Sequence, residues 1–177
     1  MSVKGRIDII MGCMFSGKST ECIRLINRHR ALKRNVLVVN HSLDKRYSHN
    51  SISTHNNQSL NSYCVSNLDL LKEDPKYCYE ESDVILIEEA QFFDKLYDFV
   101  TNAADKDNKI VIVSGLDGDS NRKEFGEIIK LIPQCETVRK LHAMCSICGD
   151  GTAACFTKRI VENDSQILVG VNQFIPV

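Results

Sequence analysis

GCMFSGKST, residues Gly12 to Thr20, follows the apolar run IDIIM (7–11) and leads into KSTECIRLINRHRALK (18–33), which reads as a helix. The stretch meets G-x-x-x-x-G-K-S/T at every fixed position, and the strand before it and helix after it are the context that pattern requires. Glycines at 12 and 17 let the backbone bend so that successive N–H groups point inward. The result is a concave anion site at the positive end of a helix. In such a cradle Lys18 reaches the β- and γ-phosphates and the Ser19 hydroxyl ligates Mg²⁺. A glycine-bearing turn that fits the pattern by chance would not need both flanking elements.

A phosphate cradle needs a second acidic group to place the metal, and VILIEEAQFF (84–93) carries one. Four apolar residues deliver Glu88 and Glu89 to the carboxyl end of a strand. On an extended backbone the two carboxylates point to opposite sides, so Glu88 can face the metal through water while Glu89 faces the acceptor as general base. Read without the cradle, the same pair is equally an acidic helix N-terminus.

Four β-branched runs, RIDIIM (6–11), NVLVVN (35–40), DVILIE (83–88) and KIVIVSG (109–115), are apolar almost throughout, as strands covered on both faces are. Helical segments are expected over 18–33, 94–105 (DKLYDFVTNAAD) and 123–132 (KEFGEIIKLI). The alternation implies an α/β fold of P-loop NTPase type, a mostly parallel sheet with helices on both faces. Its ligands lie beyond the carboxyl ends of the strands. Ser42 to Ser62 is polar and without period, a long loop with a functional flavour. After about Lys140 a CxxC turn is followed by CFTKRIV (155–161) and QILVGV (166–171), read as antiparallel strands of a small second unit. The expected domains are 1–140, nucleotide-binding, and 141–177.

Apolar residues make up 43% and charged residues 25% of the 177, which suits a globular protein of one core with an appendage. Twenty-two basic against 23 acidic residues leave a net charge of -1, no field for holding duplex DNA. The basic run RLINRHRALKR (24–34), His29 included, therefore reads as a solvated helix face. No run approaches the ~20 apolar residues of a membrane helix, and Asp8 interrupts the N-terminal apolar stretch. The expectation is a cytoplasmic protein that meets neither membrane nor nucleic acid. Its eight cysteines are scattered apart from the Cys145 and Cys148 pair, and are expected as reduced thiols. Cys13 would be oxidisable if the helix terminus favoured its thiolate.

At these residues the sequence resembles the type II thymidine kinases. GCMFSGKSTE is similar to the family's G-P-M-F-S-G-K-S-T-E, LIEEAQFF to D-E-G-Q-F-F, and LDKRYSHNSISTH to its D-x-R-Y…T-H segment. SGLDGDSNRKEF resembles G-L-D-G-T-F-Q-R-K-P-F, LHAMCSIC resembles L-T-A-V-C-x-x-C, and CFTKRI resembles Y-T-K-R-L. The resemblance implies ATP-dependent phosphorylation of the thymidine 5′-hydroxyl by a homo-oligomer, commonly a tetramer. It also implies a P-loop domain followed by a small zinc-bearing domain with a lasso that closes over the nucleoside. Carried over by position, Glu89 is the catalytic base. Gly12, Cys13, Met14, Phe15, Ser16, Gly17, Lys18, Ser19 and Thr20 hold ATP, joined by Asp44 and Arg46 of the D-x-R pair and by Glu88 and Gln91. Met14, Leu116, Ser120 and Phe125 fall on the base pocket. Thr157 falls on the lasso threonine, Ser165, Gln166, Ile167, Leu168 and Val169 on the lasso, and Phe174 on a sugar-contacting tyrosine. Ser19 and Glu88 fall on the Mg²⁺ side, Cys145 and Cys148 on the structural Zn²⁺ site.

Four departures carry expectations. Glu88 is one methylene longer than the family's Asp, and Mg²⁺ tolerates little departure from octahedral geometry, so rate or metal preference should change. Ser120 replaces a phenylalanine, removing an aromatic wall worth about 1–3 kcal/mol by analogy with base stacking. Phe174 lacks the hydroxyl of the tyrosine it replaces. Cys145 and Cys148 are half of a four-ligand zinc site. The family's second CxxC would begin after Val177, so either the chain is truncated and the site open, or the site is lost and the lasso loosened. Besides a thymidine kinase, the sequence admits a nucleotide-binding homologue with weakened catalysis, or a P-loop phosphotransferase with another acceptor.

Overall fold

The computed structural model describes residues 4–44, 51–53, 59–162, 165–168, 170 and 172–177. In chain order the strands are β1 (Arg6–Gly12), β2 (Val36–His41), β3 (Ser51–Ser53), β4 (Ser59–Asn61), β5 (Tyr63–Val65), β6 (Val84–Ile87), β7 (Ile110–Gly115), β8 (Thr137–Leu141), β9 (Ala143–Met144), β10 (Ala153–Ala154), β11 (Thr157–Arg159) and β12 (Phe174–Pro176). The α-helices are α1 (Lys18–Ala31), α2 (Leu70–Glu73) and α3 (Leu96–Asp105).

Six strands form one sheet in the order β5-β2-β6-β7-β1-β8, and every pairing in it is parallel. Strand periodicity sends alternate side chains to opposite faces. Ile7, Ile9 and Met11 of β1 pack with Ile85, Ile87, Val111 and Val113 under Leu96, Phe99, Val100 and Ala103 of α3. On the other face Ile10, Leu86 and Ile112 pack under Cys22, Ile23 and Ile26 of α1. Both faces are therefore dry, which is why these strands read as continuous apolar runs. Each such fully buried aliphatic side chain contributes about 1.5–3 kcal/mol of transfer free energy.

α1 buries Cys22, Ile23 and Ile26, a spacing that puts them on one stripe. Arg28, His29 and Arg30 fill its last turn, where cations complement the negative end of the helix. The expected helix over 123–132 is instead a 3-10 segment, Ile128–Gln134, with Pro133 inside it. Gly126 sits at φ 65 with its Cα side pressed against the Gln91 backbone, and proline has no N–H for a helical ladder. The polar stretch 42–62 is not wholly irregular, since β3 and β4 pair antiparallel with Ser51 opposite Asn61.

Beyond the sheet the chain makes short antiparallel pairs, β9 with β10 and β11 with β12. CFTKRIV supplies β11 as expected, but its partner is Phe174–Pro176 and not QILVGV. The carbonyls of Ser165 and Gln166 are taken by the Arg159 guanidinium at 2.7 and 3.5 Å, which draws that segment out of a ladder. Among the described residues no helix is long and apolar enough to cross a membrane. All eight cysteines are free thiols.

Candidate active site

The carboxyl ends of β1, β2, β6, β7 and β8 all lie on one edge of the parallel sheet, and the 12–20 loop, Glu88, Glu89, Gln91 and Leu116 follow directly from those ends. β1 ends at Gly12, with φ 151; a Cβ there would stand 2.3 Å from the Leu141 carbonyl oxygen at the end of β8. Only glycine permits that approach. The loop then turns through Phe15, at φ 65, and Gly17, at φ 84, before α1 begins at Lys18. Thr20 is exposed on the first turn.

Lys18 folds back over the loop, its Nζ donating to the carbonyls of Gly12 at 3.1 Å and Cys13 at 2.8 Å. Ser16 Oγ is buried and has no hydrogen-bond partner among the described residues, a polar group aimed into the loop. The Cys13 thiol donates to the Ala154 carbonyl at 3.3 Å. Burial pushes this thiol's pKa up, against the pull of a backbone hydrogen bond and of Lys18, so the helix terminus does not make it a ready thiolate.

Glu88 is buried at the end of β6, and its Oε1 accepts the Ser19 hydroxyl. A serine hydroxyl and a carboxylate side by side are hard oxygen donors of the kind Mg²⁺ takes, so these residues fit the metal that the cradle implies. Glu89 points elsewhere, but not because the backbone is extended. It stands in the left-handed region at φ 51 and opens the 3-10 turn Ala90–Phe92. Gln91, buried, donates its Nε2 to Glu89 Oε2 at 2.6 Å and accepts the Leu116 N–H on its Oε1 at 3.0 Å. That side chain ties the carboxylate to the end of β7.

The remaining residues surround this edge unevenly. Asp44 is half-buried and accepts from Asn40 Nδ2 at 3.3 Å, while Arg46 lies outside the described residues. Phe125 is buried and stands edge-on to Phe92 with ring centroids 5.6 Å apart; Ser120 is half-buried in the adjoining turn. Thr157, on β11, accepts the Met14 N–H at 2.9 Å. Phe174 is buried on β12 with the Arg159 guanidinium 5.5 Å above its ring. Ser165 and Ile167 are exposed, Leu168 is half-buried, and Val169 lies outside the described residues.

Gln166 donates to Asp119 Oδ2 at 2.9 Å and to the Glu124 carbonyl at 3.2 Å. Asp119 also takes the N–H groups of Asn121 and Lys123, so it organises the 118–124 turn and clasps the 165–168 segment to it. Asp119 lies inside the SGLDGDSNRKEF stretch, where the family pattern has threonine, and its own signal there is that of an Asx-turn residue in a glycine-bearing stretch.

Cys145 and Cys148 share a turn, with the Cys148 N–H 3.5 Å from Cys145 Sγ. Among the described residues no three His, Cys, Asp or Glu side chains gather as a metal site, so the pair by itself falls two short of the four ligands that structural zinc takes.

A model of the thymidine kinase family matches residues 5–176. A thymidine kinase of Oryza sativa subsp. japonica is 38% identical over 179 residues, covering 99% of this chain and 65% of its own length. Thymidine kinase a of Arabidopsis thaliana is 40% identical over 177 residues, 98% of this chain and 73% of its own. The thymidine kinase of Yaba monkey tumor virus (strain VR587) is 41% identical over 170 residues, 96% and 89%. The chain thus spans somewhat less than two thirds of the rice relative's length and more of the other two.

Proposed function

The chain belongs to the thymidine kinase family, and from that premise we propose that it transfers the γ-phosphoryl group of ATP to the 5′-hydroxyl of thymidine. The observation that carries the reading is the meeting of the Gly12–Thr20 cradle with Glu88 and Glu89 at one sheet edge, joined by the Ser19–Glu88 contact. In the reaction the nucleoside O5′ forms a bond to Pγ while the bond from Pγ to the β–γ bridging oxygen breaks. ADP leaves and the hydroxyl proton passes to Glu89.

Lys18 exchanges its loop carbonyls for the phosphate oxygens, and the loop N–H groups hold the rest of the chain of phosphates. Ser19 and Glu88 would hold Mg²⁺, which when bound neutralises charge on the phosphate oxygens. Gln91 fixes the Glu89 carboxylate in direction. A base removing a proton from an alcohol as the new bond forms needs placement more than a large pKa shift. Leu116 and Phe125 flank the base pocket, and residues 165–168 with Thr157 form its lid. Reading a pyrimidine edge through main-chain groups discriminates well, because a wrong base leaves peptide groups unpaired.

On the same reading residues 1–140 bind ATP and 141–177 carry the lid, and the protein acts as a cytoplasmic homotetramer; Cys145 and Cys148, with no third ligand beside them among the described residues, do not make a structural zinc site by themselves. The test is ADP release from ATP and Mg²⁺ with and without thymidine, in the unaltered protein and in Glu89→Gln. Thymidine-dependent release that falls about 10²–10⁴-fold in the variant supports the assignment. Release indifferent to thymidine, or ATP binding with no turnover, removes it.

A further inference from the structure

The basic run 24–34 takes no part in the phosphate cradle. It lies toward the far end of α1, where that helix, the start of β1 and the edge strand β8 line an open-sided cavity of about 800 Å³, with Arg28 and Leu32 solvent-exposed. Ile9, Ile10 and Ile110 form part of its lining, and its walls carry Lys4, Arg6, Arg28, Arg34 and Arg139 against the one carboxylate of Asp8.

Asp8 is already committed. Its Oδ1 takes Arg6 Nη2 at 2.5 Å and the Thr137 hydroxyl at 2.5 Å. Arg139 is held by Glu21 of α1. Lys4, Arg28 and Arg34 have no carboxylate partner among the described residues, and Arg6 Nε is buried without an acceptor there. Arg34 Nη1 lies 2.9 Å from His29 Nδ1. A guanidinium only donates, so Nδ1 accepts and the ring hydrogen sits on Nε2, one more donor. Burial and then the charges of Arg34, Arg6 and Arg28 hold the imidazole's pKa below its usual value, with Asp8 opposing.

We propose that this cavity is a second anion site, taking a small molecule with two or more phosphate groups and separate from the phosphate cradle. Its volume is that of an ordinary small-ligand pocket. Guanidinium forks match phosphate oxygens in pairs, and an arriving polyphosphate relieves the mutual repulsion of the cations. A nucleic acid is the poorer occupant, because the net charge of -1 gives the whole surface no attraction for a polymer.

The probe is sodium tripolyphosphate, titrated calorimetrically at fixed ionic strength into the full chain carrying Lys18→Ala, which silences the cradle. One saturable site per chain should survive, and adding Arg28→Ser with Arg34→Ser should weaken it by at least about tenfold. The arginine double variant on its own should keep its thermal melt and its thymidine-dependent turnover, so failure here is separable from failure of the kinase assignment. Absence of saturable binding in the Lys18→Ala protein overturns the proposal, as does binding indifferent to the two arginines. Binding of an oligonucleotide but not of tripolyphosphate overturns it in favour of a nucleic-acid face. A drop in assembly mass on losing the arginines, with tripolyphosphate binding unchanged, overturns it in favour of a contact between copies.

Discussion

Thr157 Oγ1 accepts the backbone N–H of Met14 at 2.9 Å, so a residue of β11 satisfies one donor of the 12–17 loop from 143 positions away. The lid strand and the cradle are thereby one mechanical piece. Thr157→Val keeps the shape and removes the acceptor, leaving a buried N–H unpaired at a cost of about 1–3 kcal/mol. We expect a lower melting temperature and higher KM values for both ATP and thymidine, with Thr157→Ser restoring them. A variant that loses stability but keeps both KM values would separate lid from cradle.

Gln91 is the positioning residue for Glu89. A Cβ at Gly115 would stand 2.4 Å from Gln91 Oε1 and 2.4 Å from Ile128 Cδ1, so Gly115→Ala must displace that side chain. The expected result is a fall in kcat with KM for ATP little changed, because the cradle is untouched. Steady-state kinetics read the split directly. Gln91→Leu should give the same signature, and equal losses in kcat and ATP affinity would argue for general unfolding of the edge.

Glu88 Oε1 accepts the Ser19 hydroxyl. Glu88→Ala should raise the Mg²⁺ concentration needed for half-maximal rate by about 10–100-fold, the usual range for losing a group that orients a metal. Chelation followed by graded return of Mg²⁺ measures it. Ser19→Ala should shift the same curve in the same direction.

His41 is buried beside Phe93, with ring centroids 4.5 Å apart, and its Nδ1 accepts the Leu43 N–H at 3.0 Å. Burial depresses its pKa below 6.5, outweighing the Ser66 carbonyl and the Asp94 and Glu89 carboxylates that pull it upward. The folded protein therefore binds the proton less readily than the unfolded chain. Stability should hold above about pH 6.5 and fall as pH drops through that value toward the depressed pKa. Denaturant melts at pH 7.5 and 5.5 should show the loss, and His41→Gln should flatten it.

The central strands were legible because each is buried on both faces, so that β6 is apolar throughout and β7 carries Ser114 as its one polar side chain. The outer strands were not. β8 reads TVRKL and is exposed at its first four positions, so its sequence follows solvent and pairing geometry more than the core. β5 is three residues long. At the site, the cradle announces itself because its residues are contiguous. The Thr157–Met14 and Gln166–Asp119 bonds join distant residues by single hydrogen bonds, which leave no local pattern. Charge was misleading in a different way. A net of -1 averages over a surface on which cations crowd one cleft; the run 24–34 is largely the solvated face its sequence suggests, and only its neighbours on β1 and β8 show the cleft beside it.

The left-handed backbone at Glu89 sets endurance against turnover at a single codon. A side chain there is held in a conformation that costs roughly 1–2 kcal/mol and that glycine adopts freely. Heat selection acting alone would therefore favour Glu89→Gly, and the hardiest clones it returned would be those that had discarded the carboxylate we assign as proton acceptor.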